Sequence, residues 1–302
     1  MNMAWCALAV AGPALAAWEV WRSTRIGFRR LEIPLQSHTC RNRGAVRILH
    51  LSDLHITASL RHKLDRIESL LDGEWDFVMI SGDLIDNDSG IDPVSDFLGR
   101  LKASCGKFAV LGNHDYLDSI AGNPLKWVRA FWHALLNRKS DELHVANDIN
   151  RLVGCLEERG VRLLRNELAE GEIPGAGPFQ VFGIDDPATD RDRPAEVSAD
   201  VNPDALRLVL THAPIRLGPL ARFAPELIMC GHTHGGQIRL PLLGAILTHS
   251  DAGRRSCSGL VELDGCRVHI SPGVGAGRLF PLRFFSKAEV TEIVLKASDR
   301  DI

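Results

Sequence analysis

Val46-Arg47-Ile48-Leu49-His50-Leu51-Ser52-Asp53-Leu54-His55 starts as a β-type run and breaks abruptly into polar residues at Ser52-Asp53. The same event recurs twice. Phe77-Val78-Met79-Ile80 runs into Gly82-Asp83, and Phe108-Ala109-Val110-Leu111 runs into Gly112-Asn113-His114-Asp115. Between the first two runs, Leu60, Leu64, Ile67, Leu70 and Leu71 recur at helical spacing, and residues 93–101 have a helical pattern as well. Strand, helix, strand, helix, strand is the signature of a parallel sheet with crossover helices. Open α/β sheets place ligands beyond the carboxyl ends of their strands. The three polar clusters are therefore predicted to meet at one site, although they are far apart in sequence.

The second half carries more short strands: 179–183, 206–210 and 227–230. The last two also end in histidines, at Thr211-His212 and Gly231-His232-Thr233-His234. Residues 260–270 contain two runs broken by Asp264-Gly265, a hairpin signal, and 290–295 form a final strand. The pattern predicts an α/β fold of two mixed β-sheets packed as a sandwich and flanked by α-helices. No internal repeat or low-complexity tract is present.

Carboxylate, amide oxygen and imidazole together make a borderline-hard ligand set that suits two divalent ions, Mn first, with Fe, Zn or Mg as alternatives. Asp53 and His55 are two apart and share a face in an extended chain, so both reach one ion. His232 and His234 repeat the spacing, one for each metal. Two ions about 3.5–4 Å apart need a bridging group, and Asp83 is the candidate. A bridging water, deprotonated near neutral pH, would attack phosphorus in line. His114, next to the ligand Asn113, suits proton delivery to the leaving oxygen, with Asp115 orienting its ring. Gly82, Gly112 and Gly231 let the backbone bend close to the ions. A lone His after a strand is usually structural, but five clusters in this order are not a chance pattern. His50 and His269, among others, fall outside it and read as ordinary.

These residues resemble the calcineurin-like metallophosphoesterase family, whose pattern is D-x-H, G-D, G-N-H-[DE], H and G-H-x-H; all five blocks are present across residues 46–296. The resemblance implies one metal held by Asp53, His55, Asp83 and His234, and a second held by Asp83, Asn113, His212 and His232, with His114 as the catalytic non-ligand. A narrower likeness lies in Gly235-Gly236-Gln237, Gly273-Val274-Gly275, the run 281–285 and Glu289-Val290. It is similar to the membrane-associated bacterial branch, which implies hydrolysis of a lipid-linked nucleotide such as UDP-2,3-diacylglucosamine at its diphosphate. Lys287-Ala288 replaces the prolines of that branch, and 118–150 is longer than usual. Gly273-x-Gly275-x-Gly277 reads as a tight turn beside the site rather than a nucleotide loop, because Pro281 interrupts any following helix. Arg278 and Arg283 are candidates for phosphate or lipid headgroups, with solvated arginines as the commoner alternative.

The 302 residues suffice for a large core. A net charge of −3 supplies no basic field for nucleic acid, and a single Tyr argues against an aromatic stacking surface. Seven cysteines without a C-x-x-C pair argue against structural zinc and for a reducing compartment, with Cys105 and Cys230 as buried thiols. Residues 3–21 are apolar apart from Glu19 and just long enough to span a bilayer, followed by Arg22, Arg25, Arg29 and Arg30. That asymmetry predicts an anchor over 1–22, a basic linker over 23–44 and a phosphoesterase domain over 45–298 facing the cytoplasm. A cleaved signal peptide ending near Ala14-Leu15-Ala16, or a buried helix, are the alternatives. Residues 126–136 are amphipathic, with Trp127, Phe131 and Leu135 on one stripe. They read either as a core helix or as a lid touching acyl chains or membrane. Competing functions are a general or cyclic-nucleotide phosphodiesterase acting on a soluble substrate, and a non-catalytic scaffold, although no ligand position is lost.

Overall fold

The computed structural model describes residue 18 and residues 25–35, 44–119, 144–197, 200–240, 244–246, 248, 253, 256–275 and 283–297. The expected anchor (Trp18 apart), the amphipathic stretch 126–136 and Arg278 lie outside the described residues. Among the described residues, no helix is long and apolar enough to cross a membrane.

The first half of the chain runs β1 (Ile26–Pro34), β2 (Ala45–Leu51), α1 (His62–Glu68), β3 (Trp75–Ser81), α2 (Ile91–Arg100), β4 (Ala103–Val110), the single turn α3 (Asn113–Tyr116), β5 (Leu117–Ser119), β6 (His144–Ala146), α4 (Ile149–Glu158) and β7 (Val161–Leu163). It continues as β8 (Glu167–Ile173), β9 (Gly177–Gly183), β10 (Leu206–Leu210), β11 (Leu227–Cys230), β12 (Arg239–Leu240), β13 (Gly244–Ala245), β14 (Gly259–Leu263), β15 (Cys266–Ile270) and β16 (Ala288–Lys296). Two six-stranded sheets result, in the orders β1-β16-β2-β3-β4-β7 and β14-β15-β11-β10-β9-β8. Both are mixed: β2, β3 and β4 are mutually parallel while β16 runs against β2, and β9, β10 and β11 are parallel while β8 and β14 run against their neighbours.

The layers follow from side-chain alternation. From β3, Phe77 and Met79 point into the inter-sheet core with Leu208, Leu210 and Met229 of the second sheet. Val78 and Ile80 face the opposite way, onto Leu64, Phe97, Leu98 and Leu152 of the helices. Every residue of β3 is buried, as a parallel strand covered on both faces requires. The Phe77 and Phe179 rings meet edge-on at 4.9 Å across the sandwich. The outer face of the second sheet is covered by the 3-10 turn Gly218–Phe223, with Phe223 stacked on Phe182 at 4.3 Å. The Asp264-Gly265 turn has φ of 50° and 74°, as a two-residue hairpin demands.

Two features depart from expectation, and a third adds to it. Residues 26–34, expected within a basic linker, form β1, paired in parallel along its whole length with β16. It is an edge strand with Arg29 and Arg30 in solvent, so only Ile33 is fully buried and the stretch looks polar. Cys105 is only half-buried, whereas Cys230 is fully buried. The segment 118–150 is anchored at its base by an antiparallel β5–β6 ribbon, Leu117 opposite Ala146.

Candidate metal centre

Because β2, β3, β4, β10 and β11 end at the same edge of the sandwich, the five polar clusters meet there. Asp53, His55 and His234 bring ligand atoms within 4.8 Å of one another, and Asp83, His212 and His232 do the same. Asp83 joins the two groups: its Oδ2 lies 3.5 Å from His55 Nε2 and 3.4 Å from His212 Nε2. Asn113 Oδ1 sits 3.2 Å from His212 Nε2, completing the second group.

The local backbone is unusual. Asp53, His55, Asp83, His232 and His234 all have left-handed φ, between 49° and 67°. An L-residue there costs roughly 1 kcal/mol or more, so these five positions together store on the order of 5 kcal/mol of local strain. Surrounding contacts hold it: Asp53 N–H donates to Gly82 O, His55 N–H to Asp83 O, and His232 N–H to the Asp53 carboxylate. Two glycines are dictated by crowding. A Cβ on Gly231 would stand 1.8 Å from Ser52 Oγ and 2.3 Å from Asp53 Oδ2, and one on Gly112 would stand 2.3 Å from Asp83 Oδ1.

The donor set fits divalent cations. His55 Nε2, Asp83 Oδ2 and His234 Nδ1 are buried and lack any hydrogen-bond partner, an arrangement that is costly without a cation. His212 Nδ1–H donates to Ser81 O at 2.8 Å, turning Nε2 inward. His55 Nδ1–H donates to Asp86 Oδ1 at 2.7 Å, turning its Nε2 inward too. Fixing a ligand imidazole through its other nitrogen is how metal sites set tautomer and ring plane. His232 Nδ1 faces His212 Nε2 at 3.1 Å, so imidazole nitrogens from two separate strand ends meet at the site.

The electrostatics agree. Burial pushes His55 down, yet Asp86, Asp83 and Asp53 outweigh it and hold it at about 9. The same negative field attracts a cation, which must then displace that proton. Burial opposes ionisation of Asp83, but His212 and His114 hold it well below the usual carboxylate range. Burial pulls His234 well below the ordinary imidazole value, helped by His55 and Arg283.

His114 borders the site with its side chain 18% exposed. Its backbone N–H donates to Asp83 Oδ1 at 2.8 Å, and its ring meets His55 edge-on at 4.8 Å. Burial lowers its pKa. Asp115 does not orient that ring. Its carboxylate accepts backbone N–H groups from Leu84, Ile85 and Gly112 at 2.8–3.0 Å. The α3 turn directs the side chain back toward the turn's own start, so adjacency in sequence does not become contact in space. Burial and Asp83 lift Asp115 to about 7. The carboxylate facing His114 is Asp86, whose Oδ1 is 3.7 Å from His114 Nδ1. Sequence reading passed over Asp86; its only signal was a second aspartate three residues after Asp83 in the same loop.

Two other sequence readings are resolved. Gly273 and Gly275 form a turn against the site, where a Cβ on either would strike Asp53 or His55. Arg283 is neither solvated nor turned to a headgroup site; it is 2% exposed and bonded to backbone carbonyls. Beyond Gly235, next to His234, lies a pocket of about 240 Å³ whose lining includes Arg29, Arg239, Lys287 and Glu289.

Comparison with known proteins places the chain in a family. A family model described as calcineurin-like phosphoesterase matches residues 46–236. The chain is 31% identical to YkoQ, an uncharacterised metallophosphoesterase of Bacillus subtilis, over 66% of this chain and 64% of YkoQ, so it spans just under two-thirds of that relative. It is 28% identical to the phosphodiesterase YaeI of Escherichia coli, over 84% of this chain and 83% of YaeI. It is also 28% identical to LpxG of Chlamydia trachomatis, a UDP-2,3-diacylglucosamine pyrophosphatase, over 65% of each.

Proposed function

This chain belongs to the calcineurin-like phosphoesterase family, and from that premise we propose that it hydrolyses a phosphodiester or diphosphate bond in an anionic, lipid-linked substrate at a two-metal centre. The observation that carries the reading is that His55 Nε2, Asp83 Oδ2 and His234 Nδ1 are buried without a hydrogen-bond partner, within two His/Asp clusters that Asp83 joins. In this reading Asp53, His55, Asp83 and His234 hold one ion, and Asp83, Asn113, His212 and His232 the other. When bound, the ions lower the pKa of a water to near neutrality and offset charge on the phosphoryl oxygens. Manganese suits the mixed imidazole, carboxylate and amide set.

The chain's own groups do the rest. Asp83 spans both ligand groups through Oδ2 while its Oδ1 is fixed by His114 N–H. Asp86 holds His55 and faces His114 Nδ1. His114 Nε2 then delivers a proton to the leaving oxygen, which avoids expelling an alkoxide or phosphate trianion. Asp115 ties the 82–85 and 112–115 loops together and so keeps Asp83 beside His114.

Three observations favour an anionic lipid-linked substrate: the cationic pocket beside His234, the LpxG relationship and the apolar N-terminal stretch, which we read as a membrane anchor for a cytoplasm-facing domain. YaeI, matched over more of its length, favours a broader phosphodiesterase as the second reading. The test is a panel of bis-p-nitrophenyl phosphate, cyclic nucleotides and UDP-linked lipids with added Mn²⁺, products identified by mass spectrometry. A higher kcat/KM for the UDP-linked lipid supports the first reading, and preference for soluble diesters supports the second. No turnover with any divalent ion, or turnover that survives chelation, refutes both.

A further inference from the structure

We propose that Arg283 is a positioning residue that holds the Asp53–His55–His234 ligand group, and not its partner group, in ligating geometry. It does so by gathering the backbone carbonyls of the surrounding loops onto one buried guanidinium. The proposal rests on the two-metal reading above and concerns a residue that touches no ligand atom.

Arg283 is 2% exposed, and among the described residues no carboxylate pairs with it. A guanidinium has five N–H donors, and all five are used on carbonyl oxygens. Nε reaches Gly275 O at 3.1 Å. One terminal nitrogen reaches His234 O at 3.2 Å and Lys287 O at 3.3 Å. The other reaches Gly273 O at 3.2 Å and also Gly275 O. A buried cation with no directly bonded carboxylate is costly, and burial pulls Arg283 down to about 10 against the opposing field of Asp53. An apolar side chain would fill the space at less cost, but it could not gather four carbonyls from three stretches of chain.

Three of those four carbonyls belong to segments that contain or lie against ligands of one group; the fourth, Lys287 O, leads into β16. His234 O belongs to a ligand itself, and Ser286 Oγ also donates to it at 2.7 Å. The 273–275 turn lies directly on the other two ligands. Val274 N–H donates to Ser52 O and Gly275 N–H to Asp53 O. A Cβ on Gly273 would stand 2.6 Å from Asp53 Cβ, and one on Gly275 would stand 2.8 Å from His55 Cβ. No hydrogen bond from Arg283 goes to Asp83, Asn113, His212 or His232. Losing the clamp therefore loosens one ion's ligands and spares the other's.

Lysine keeps the charge but has three donors and no planar fork, so Arg283→Lys separates charge from geometry. The experiment titrates the full 302-residue chain with Mn²⁺ by calorimetry, with metal content read by elemental mass spectrometry and folding checked by circular dichroism. Wild type is expected to bind two ions. R283K is expected to keep one at wild-type affinity and to bind the other at least tenfold more weakly, with activity restored by correspondingly higher Mn²⁺. Two unchanged affinities, or equal weakening of both, overturn the proposal. If wild type itself binds fewer than two ions, the two-metal reading fails first and takes this inference with it. If R283K does not fold, Ser286→Ala carries the test by removing one donor to His234 O. Selective weakening of one ion then supports the clamp, and two unchanged affinities refute it.

Discussion

Replacing Asp86 with alanine removes a carboxylate that is 3% exposed and accepts the His55 Nδ1–H bond at 2.7 Å. A buried hydrogen bond to a charged group contributes about 1.5–3 kcal/mol. If that energy is spent on fixing the His55 ring, its loss weakens binding of the ion His55 serves by roughly 10–100-fold, the range typical of outer partners of metal ligands. A second effect comes from His114, whose Nδ1 faces the same oxygen at 3.7 Å. Removing that negative charge lowers the His114 pKa further, so its imidazolium is less populated at neutral pH. Two measurements separate the effects: kcat/KM for bis-p-nitrophenyl phosphate against Mn²⁺ concentration, and the pH–rate profile at saturating Mn²⁺. D86A should need about 10–100-fold more Mn²⁺ and show its alkaline limb shifted to lower pH. D86N, which keeps an acceptor oxygen but loses the charge, should restore much of the metal affinity and little of the pH profile. Wild-type Mn²⁺ dependence in D86A would refute the assignment of Asp86 as the support of His55.

Three further outcomes follow from the structure. His50 and His269 form a buried pair, Nδ1 to Nδ1 at 2.8 Å, with His50 Nε2 on Ser81 Oγ. Burial lowers both, His269 to about 3. The folded state therefore favours neutral rings, and their contribution is intact above pH 6.5 and lost as pH falls below it. At pH 5 the loss of the neutral His269 ring alone costs about 2 kcal/mol, against the opposite drift of His55 and Asp115, whose raised values favour the fold at lower pH; going from pH 7.5 to 5 in urea melts should therefore be less destabilising by about this amount in His269→Asn than in wild type. Gly231→Ala forces a Cβ onto Ser52 Oγ and Asp53 Oδ2, so it should lower Tm and abolish binding of at least one ion in an Mn²⁺ titration; a fully loaded variant would contradict the packing. Tyr116 donates to both oxygens of Asp185 at 2.7 and 2.8 Å. Tyr116→Phe should cost about 1–3 kcal/mol in denaturant unfolding, and an unchanged midpoint would show that Arg165, 3.6 Å away, suffices for Asp185.

The parts of the fold legible in the sequence are those whose cause is local. Buried parallel strands such as 75–81 are continuous apolar runs, and each stops where a polar loop begins. The edge strands β1 and β8 are not legible because many of their residues face water: β1 reads as a basic stretch and β8 as a run of glutamates. The site divides the same way. Its candidate ligand positions stand out in the sequence because each follows a strand whose end is marked by chemistry. The roles of Asp86, Asp115 and Arg283 are not legible, since each depends on at least one partner about 30 or more residues away.

The sequence by itself determined that five polar clusters stand at strand ends, and so what kinds of ligand atoms the edge of the sandwich would carry. Only the tertiary structure decided which side chain serves which. Asp115 adjoins His114 in sequence but is spent on the N–H groups of Leu84, Ile85 and Gly112. Asp86 is 31 residues from His55 and holds its ring. The physical reason is that a loop's composition states what it can bond, whereas left-handed turns at Asp53, His55, Asp83, His232 and His234 aim those bonds. Turns of that kind persist only where packing from distant strands holds them in place.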